Sequence, residues 1–161
     1  MKPRIEVAPS GAVKAMAGLE QYVRASRLEP KLLNLVRMRA SQINGCAYCI
    51  DMHSKDARAE GESEQRLYEL DAWRETPFYT ERERAALEWT EAITLIHETH
   101  APDETFEHVR QHFDDDELVA LTLAIVAING WNRLSIGFRA VPGGYQVGQH
   151  AQVGQPHAKT A

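Results

Sequence analysis

The stretch Leu32-Leu33-Asn34-Leu35-Val36-Arg37-Met38-Arg39-Ala40-Ser41-Gln42-Ile43-Asn44-Gly45-Cys46-Ala47-Tyr48-Cys49-Ile50-Asp51-Met52-His53 decides how the rest of the chain is read. Leu32, Leu33, Leu35, Val36 and Met38 recur at helical spacing, behind a Pro30 that suits a first helical turn. Asn44-Gly45 reads as the left-handed stop of that helix. A second helix follows from about Cys46 to Glu60, with Gly61 as its end. On it Cys46, Cys49 and His53 stand at i, i+3 and i+7 and share one face. Two thiols so spaced can close into a short disulfide. His53, one turn beyond Cys49, can take a proton from its thiol and return one later.

Working outward, the periodicity stays helical. Upstream, Ser10 is a cap candidate for a helix that places Val13, Met16, Leu19 and Val23 on one stripe. Downstream, a short helix is expected over Glu64 to Trp73. Thr80 with Glu83 forms a capping-box pattern that opens a helix carrying Leu87, Trp89, Ala92, Ile93 and Ile96. Pro102 starts another around Phe106 and Val109. Asp114-Asp115-Asp116-Glu117 puts negative charge at the head of the most apolar helix, Leu118 to Ile128, where it complements the helix dipole. No useful stretch alternates with period two. The expected fold is an all-α, single-domain helical bundle over residues 1–141, followed by a flexible, Gly-, Gln- and His-rich tail over 142–161.

Ile43-Asn44-Gly45 recurs as Ile128-Asn129-Gly130. Either a two-helix unit has been duplicated, which would set Trp131, Leu134 and Phe138 opposite Cys46, Cys49 and His53, or a three-residue helix stop recurs by chance.

Composition narrows the function classes. A formal net charge of -5 argues against broad attraction to nucleic acid. No run reaches the roughly 18 apolar residues of a membrane span, and no apolar signal core follows Met1. The expectation is a cytoplasmic location, where a pair of cysteines serves catalysis or metal binding more often than structure.

At the cysteine pair, the helix start favours a thiolate on Cys46. A division of labour is open between the two sulfurs. Cys49, served by His53, can attack an oxidised substrate while Cys46, nearer solvent, resolves the sulfenic acid; the dipole alone would make Cys46 the more acidic thiol. Two blander readings stand beside this one. The thiols can be small buried apolar groups, or Cys46, Cys49 and His53 can be zinc ligands, for which the chain offers no second knuckle. His97 and His100 are three apart and so are not HExxH. His108 and His112 read as surface residues, and Glu81-Arg82-Glu83-Arg84 as a salt-bridged exposed face.

From Leu35 to His53, the sequence resembles the alkylhydroperoxidase D-like family of the carboxymuconolactone decarboxylase superfamily. Glu117 to Ile136 resembles the later half of such proteins. The resemblance implies an all-helical fold, self-assembly as trimers or hexamers, and peroxide reduction by a CxxC pair, with no cofactor and no metal. It makes Cys49 the peroxidatic cysteine, Cys46 the resolving one and His53 the relay histidine. A hydroperoxide and a dithiol or protein reductant are the implied partners, with no role for nucleic acid or membrane. Asn34 stands where the family's relay glutamate belongs, and Tyr48 where some members carry a second histidine. Glu60, Glu88 and Glu91 are the candidate substitutes for the missing carboxylate. The leading expectation is a thiol-dependent hydroperoxide reductase or disulfide oxidoreductase. The alternatives are a redox sensor or scaffold with slow turnover, and a carboxymuconolactone decarboxylase-like enzyme.

Overall fold

A computed structural model describes residues 2–4 and 11–150. These form helices α1 (Gly11–Ala25), α2 (Pro30–Asn44), α3 (Ala47–Ala59), α4 (Glu64–Tyr68), a 3-10 turn (Leu70–Glu75), α5 (Glu81–Thr94), α6 (Ile96–Thr99), α7 (Asp103–Arg110) and α8 (Asp115–Phe138), with no strand among the described residues. The all-α expectation is met. Ser10, the proposed cap of α1, lies outside the described residues.

Helix α2 is the centre of the bundle and packs against α3, α5 and α8. Leu32, Leu33, Leu35, Val36 and Met38 are all buried, so the apolar periodicity faces more than one neighbour. Removing such side chains from water at ~25 cal/mol per Å² is what holds the layers together. The turn out of α2 forms as its sequence predicts. Gly45 takes φ 67 and ψ 33, a left-handed conformation in which a Cβ would be strained. Gly45 N–H donates to Gln42 O at 3.1 Å and Cys46 N–H to Ser41 O at 2.9 Å, closing the last carbonyls of α2 in a Schellman motif. The chain therefore doubles back at once, and α3 lies along α2.

The second Ile-Asn-Gly triplet is not a stop. Helix α8 runs unbroken through Ile128, Asn129 and Gly130 to Phe138, so no duplicated two-helix unit exists there. The two asparagines meet instead. Asn44 Nδ2 donates to Asn129 Oδ1 at 3.0 Å and to Asn132 Oδ1 at 2.9 Å. Asn132 Nδ2 donates on to Ser41 Oγ at 3.1 Å. This satisfied polar cluster pins the α2–α3 turn to the middle of α8, because each buried amide left unpaired would cost about 1–3 kcal/mol.

Helix α8 is long and apolar enough to cross a membrane, with a mean hydropathy of 1.4 over its most apolar window. In the fold it packs against α1, α2, α3, α5 and α7. Capping boxes start both α5 (Thr80 with Glu83) and α8 (Asp114 with Glu117). The expected helix over Glu64 to Trp73 divides into α4 and the 3-10 turn, with Ala72 off helical geometry. Likewise α5 ends at Thr94, and Ile96 opens α6. The charge run of α5 is more than a solvated face. Arg82 bridges to Glu29 and Glu117, Glu83 to Arg66, and Arg84 donates to three backbone carbonyls.

The tail departs from expectation. Residues 142–150 fold back over α3 with Tyr145 buried, and the remaining eleven lie outside the described residues.

Candidate active site

Cys46 is the N-cap of α3 rather than its first helical residue, and its Sγ accepts from Cys49 N–H at 3.4 Å. The two Sγ atoms lie 2.6 Å apart in a shared hydrogen bond. That bond, reinforced by the Cys49 N–H, lowers the Cys46 thiol to about 7 against the opposing effect of burial. Donating the same hydrogen bond, and then burial, push Cys49 up. Near neutral pH the pair loses its first proton from Cys46, and the remaining proton is held on Cys49. Cys49 Sγ also lies 3.7 Å from Ser135 Oγ on α8.

The expectation that Cys46 lies nearer solvent is overturned. Both cysteines are 1% exposed, and Cys46 packs with Ala40 and Ile128, backed by Trp131. The Cys46 side chain is enclosed there, although Gly45 and Ala47 on either side of it are exposed. A cavity of about 1060 Å³ opens on the other side of the pair, and Cys49, not Cys46, stands in its wall. Its apolar lining comes chiefly from Val13, Met52, Trp131, Leu134 and Phe138. Such a chamber is large enough to enclose a substantial organic molecule.

His53, Asn34 and Glu60 line the same cavity as Cys49. His53 is buried, and its Nε2 has no hydrogen-bond partner among the described residues. Burial first, then the charges of Arg37 and His150, lower it to about 3, so the imidazole is neutral at pH 7. Asn34, buried on α2, donates from Nδ2 to Glu60 Oε2 at 2.7 Å. Of the three carboxylates considered for the family's missing glutamate, Glu60 alone is in the cavity. Glu91 is taken up by Arg39, Arg74 and Trp73 Nε1, and Glu88 by His108 Nδ1 at 2.6 Å.

His97, His100, His108 and His112 stay apart from this site. His97 is exposed beside Glu98, and His108 meets His112 edge to face. Among the described residues no three His, Cys, Asp or Glu side chains gather as metal ligands. Sequence reasoning missed Ser135, Asn132 and the folded-back tail. Asn129 stands in the repeated triplet, but Asn132 carries no signal of its own in the sequence. His150 carried no sequence signal, yet its Nε2 shares a 3.0 Å hydrogen bond with the hydroxyl of Tyr48.

Comparison with known proteins places this geometry. Residues 11–92 match the Carboxymuconolactone decarboxylase family. The uncharacterised protein YdfG of Bacillus subtilis is 50% identical over 131 residues, which cover 81% of this chain and 88% of YdfG. The uncharacterised protein YnjA of Escherichia coli is 31% identical over 117 residues, covering 73% of this chain and 62% of YnjA. A crystal structure from Agrobacterium tumefaciens superposes with a TM-score of 0.85 at 50% identity, covering 89% of this chain and all of the other. That protein is of unknown function and was proposed as the antioxidant defence protein AhpD. A peroxidase-related protein of Silicibacter shares the fold at 21% identity and a TM-score of 0.72, over 81% of this chain and 69% of its own.

Proposed function

The chain belongs to the carboxymuconolactone decarboxylase family, with an AhpD-like fold, and from that premise we propose that it is a thiol-dependent hydroperoxide reductase. One observation carries the reading: Cys49 Sγ stands in the wall of a large apolar cavity with Cys46 Sγ 2.6 Å behind it. Cys46, whose thiol is lowered by the hydrogen bond from Cys49, takes the Cys49 proton and leaves the attacking thiolate on the cavity side. Cys49 sulfur then gives an electron pair to the near oxygen of the hydroperoxide. The O–O bond breaks, Cys49 becomes a sulfenic acid, and the alkoxide leaves and takes up one proton. Cys46 next attacks the Cys49 sulfur. The S–O bond breaks, and the hydroxide leaves as water with the proton Cys46 had taken. A dithiol or protein reductant returns the disulfide to two thiols.

His53 is the relay histidine of the resemblance. Neutral at pH 7, it acts here through Nε2 as a hydrogen-bonding contact for the hydroperoxide. Glu60, in hydrogen bond with Asn34, is in this reading the carboxylate that stands in for the family glutamate. Self-assembly belongs to the same reading. Val119 and Val126, two turns apart on α8, and Tyr22 on α1 are exposed, and light scattering of the purified chain tests whether a second copy covers them.

The deciding experiment is steady-state consumption of cumene hydroperoxide with dithiothreitol as reductant, with intact-mass detection of the disulfide. Turnover that vanishes in Cys49→Ser supports the enzyme. A disulfide that forms once without sustained turnover overturns it in favour of a redox sensor.

A further inference from the structure

The proton count of the cysteine pair leaves one requirement open. Reduction of one hydroperoxide to alcohol and water consumes two protons, and a pair that starts with one thiol and one thiolate supplies only one. The other comes from solvent or from a side chain at the cavity. Among neighbouring groups, His53 is neutral at pH 7, and Glu60 already accepts from Asn34.

A second arrangement at the same cavity is built for the task. Tyr48 lies on α3 between the two cysteines in sequence, and its ring lines the cavity with Cys49. Residues 142–150 cross over α3 as a strap. Gly143 N–H donates to Asp51 Oδ2 at 3.0 Å, Lys55 Nζ to Tyr145 O at 3.3 Å, and Tyr145 hydroxyl to Asp56 Oδ1 at 2.8 Å. Tyr145 is 4% exposed, and Gly148, at φ 82, turns the chain back. The turn delivers His150, whose ring stacks on Tyr145 with centroids 5.5 Å apart and whose Nε2 meets Tyr48 hydroxyl at 3.0 Å. Four polar contacts and a buried aromatic ring therefore fix one imidazole against one phenol in the wall that holds Cys49.

We propose that Tyr48 is the proton donor to the departing alkoxide and that His150 is its positioning residue, holding the phenol and restoring its proton. This rests on the peroxidase reading above and adds to it the source of the second proton. When the O–O bond breaks, the phenol O–H bond breaks with it and the alkoxide leaves as the alcohol. Imidazolium at position 150 passes its Nε2 proton to the phenolate, and solvent re-protonates the imidazole. Phenol alone is a poor reservoir at neutral pH, and Tyr48 is pushed further up by burial and by the negative charge of the cysteine pair. An imidazole is the side chain that ordinarily exchanges protons between pH 5 and 8. The strap thus supplies from outside the cysteine motif what position 48 lacks within it. The charged and titratable groups sharing the cavity with His150 are Tyr48, Cys49, His53 and Asp56 on α3, Glu60 at its end, Arg37 on α2, Glu20 and Arg24 on α1, and Tyr145 on the strap.

The test is the rate of cumene hydroperoxide-driven oxidation in a single turnover, followed by intact mass from pH 5.5 to 8.5. The full chain is compared with His150→Gln, His150→Ala and Tyr48→Phe. Glutamine keeps a hydrogen bond to Tyr48 but carries no proton. The expected result is a loss of roughly tenfold or more at neutral pH in His150→Gln and Tyr48→Phe, a pH–rate profile changed in His150→Gln, and recovery of His150→Ala with added imidazole. A His150→Gln chain that matches wild type in rate and profile overturns the proposal and makes the strap a structural closure only. So does a His150→Ala chain that imidazole leaves unchanged. Failure of the peroxidase reading itself is recognised separately, as no peroxide-driven disulfide in the wild-type chain.

Discussion

Asn34 Nδ2 donates to Glu60 Oε2 at 2.7 Å across the floor of the cavity, joining the middle of α2 to the end of α3. A carboxamide at position 34 accepts no proton at neutral pH, so the pair is a fixed hydrogen bond rather than a proton store. Asn34→Glu would set two carboxyl groups against each other, and groups so close share one proton because both cannot ionise at once. The expected outcome is a gain of about tenfold in peroxide-driven disulfide formation near pH 7, lost again in Asn34→Glu/Glu60→Gln. An unaltered pH–rate profile in Asn34→Glu would show that this floor takes no part in proton supply.

The cysteine pair should titrate as a unit. Thiolate absorbance of the reduced chain is expected to rise with a midpoint near 7, because Cys46 is lowered to about 7 by the hydrogen bond from Cys49. Cys49→Ala removes that donor and should move the midpoint up. In Cys46→Ser, a dimedone adduct after peroxide should appear on Cys49, the sulfur in the cavity wall. An adduct on Cys46 in Cys49→Ser at the full wild-type rate would reverse the two roles.

Burial of His53 makes stability depend on pH with a defined sign. Its folded value is about 3 against an ordinary 6.5, so the unfolded chain binds the extra proton below pH 6.5. The stabilising contribution of the neutral ring is complete above pH 6.5 and is lost as pH falls toward 3. Urea denaturation should give a free energy that drops between pH 6.5 and 5 with a slope approaching ~1.4 kcal/mol per unit. His53→Phe should flatten that slope. An equal slope in both proteins would mean that other groups account for it.

Gly130 marks the close approach of α1 to α8. A Cβ built there falls 2.8 Å from Met16 Cε and 3.3 Å from Met16 Sδ. Both atoms are the free end of a flexible side chain, so Gly130→Ala should stay within about 0.5 kcal/mol of wild type, the gain in helix propensity offsetting a shift of Met16. Gly130→Val adds two further methyl groups and should cost roughly 1–3 kcal/mol by overpacking. Denaturant midpoints check both, and an equally harmful alanine would show that Met16 cannot move.

Local physics made much of this protein legible in one dimension. The Gly45 turn, the capping box at Thr80 and the negative charge from Asp114 to Glu117 at the head of α8 depend on neighbours within a few residues, where spacing and backbone preference decide the outcome. Tertiary structure decided everything that required two distant segments to meet. Asn129 looked like a helix stop because Asn-Gly commonly is one, but the neighbours of α8 hold that helix straight and turn the asparagine into a partner for Asn44. Cys46 looked solvent-facing from its place at a helix start, and the packing of α3 on α8 buried it. Glu60 became distinct from Glu88 and Glu91 only through which cavity its helix end reaches. The strap that carries His150 has no apolar periodicity of its own. Its conformation comes from Asp51, Lys55 and Asp56 on α3, long-range contacts whose energy a sequence window does not contain.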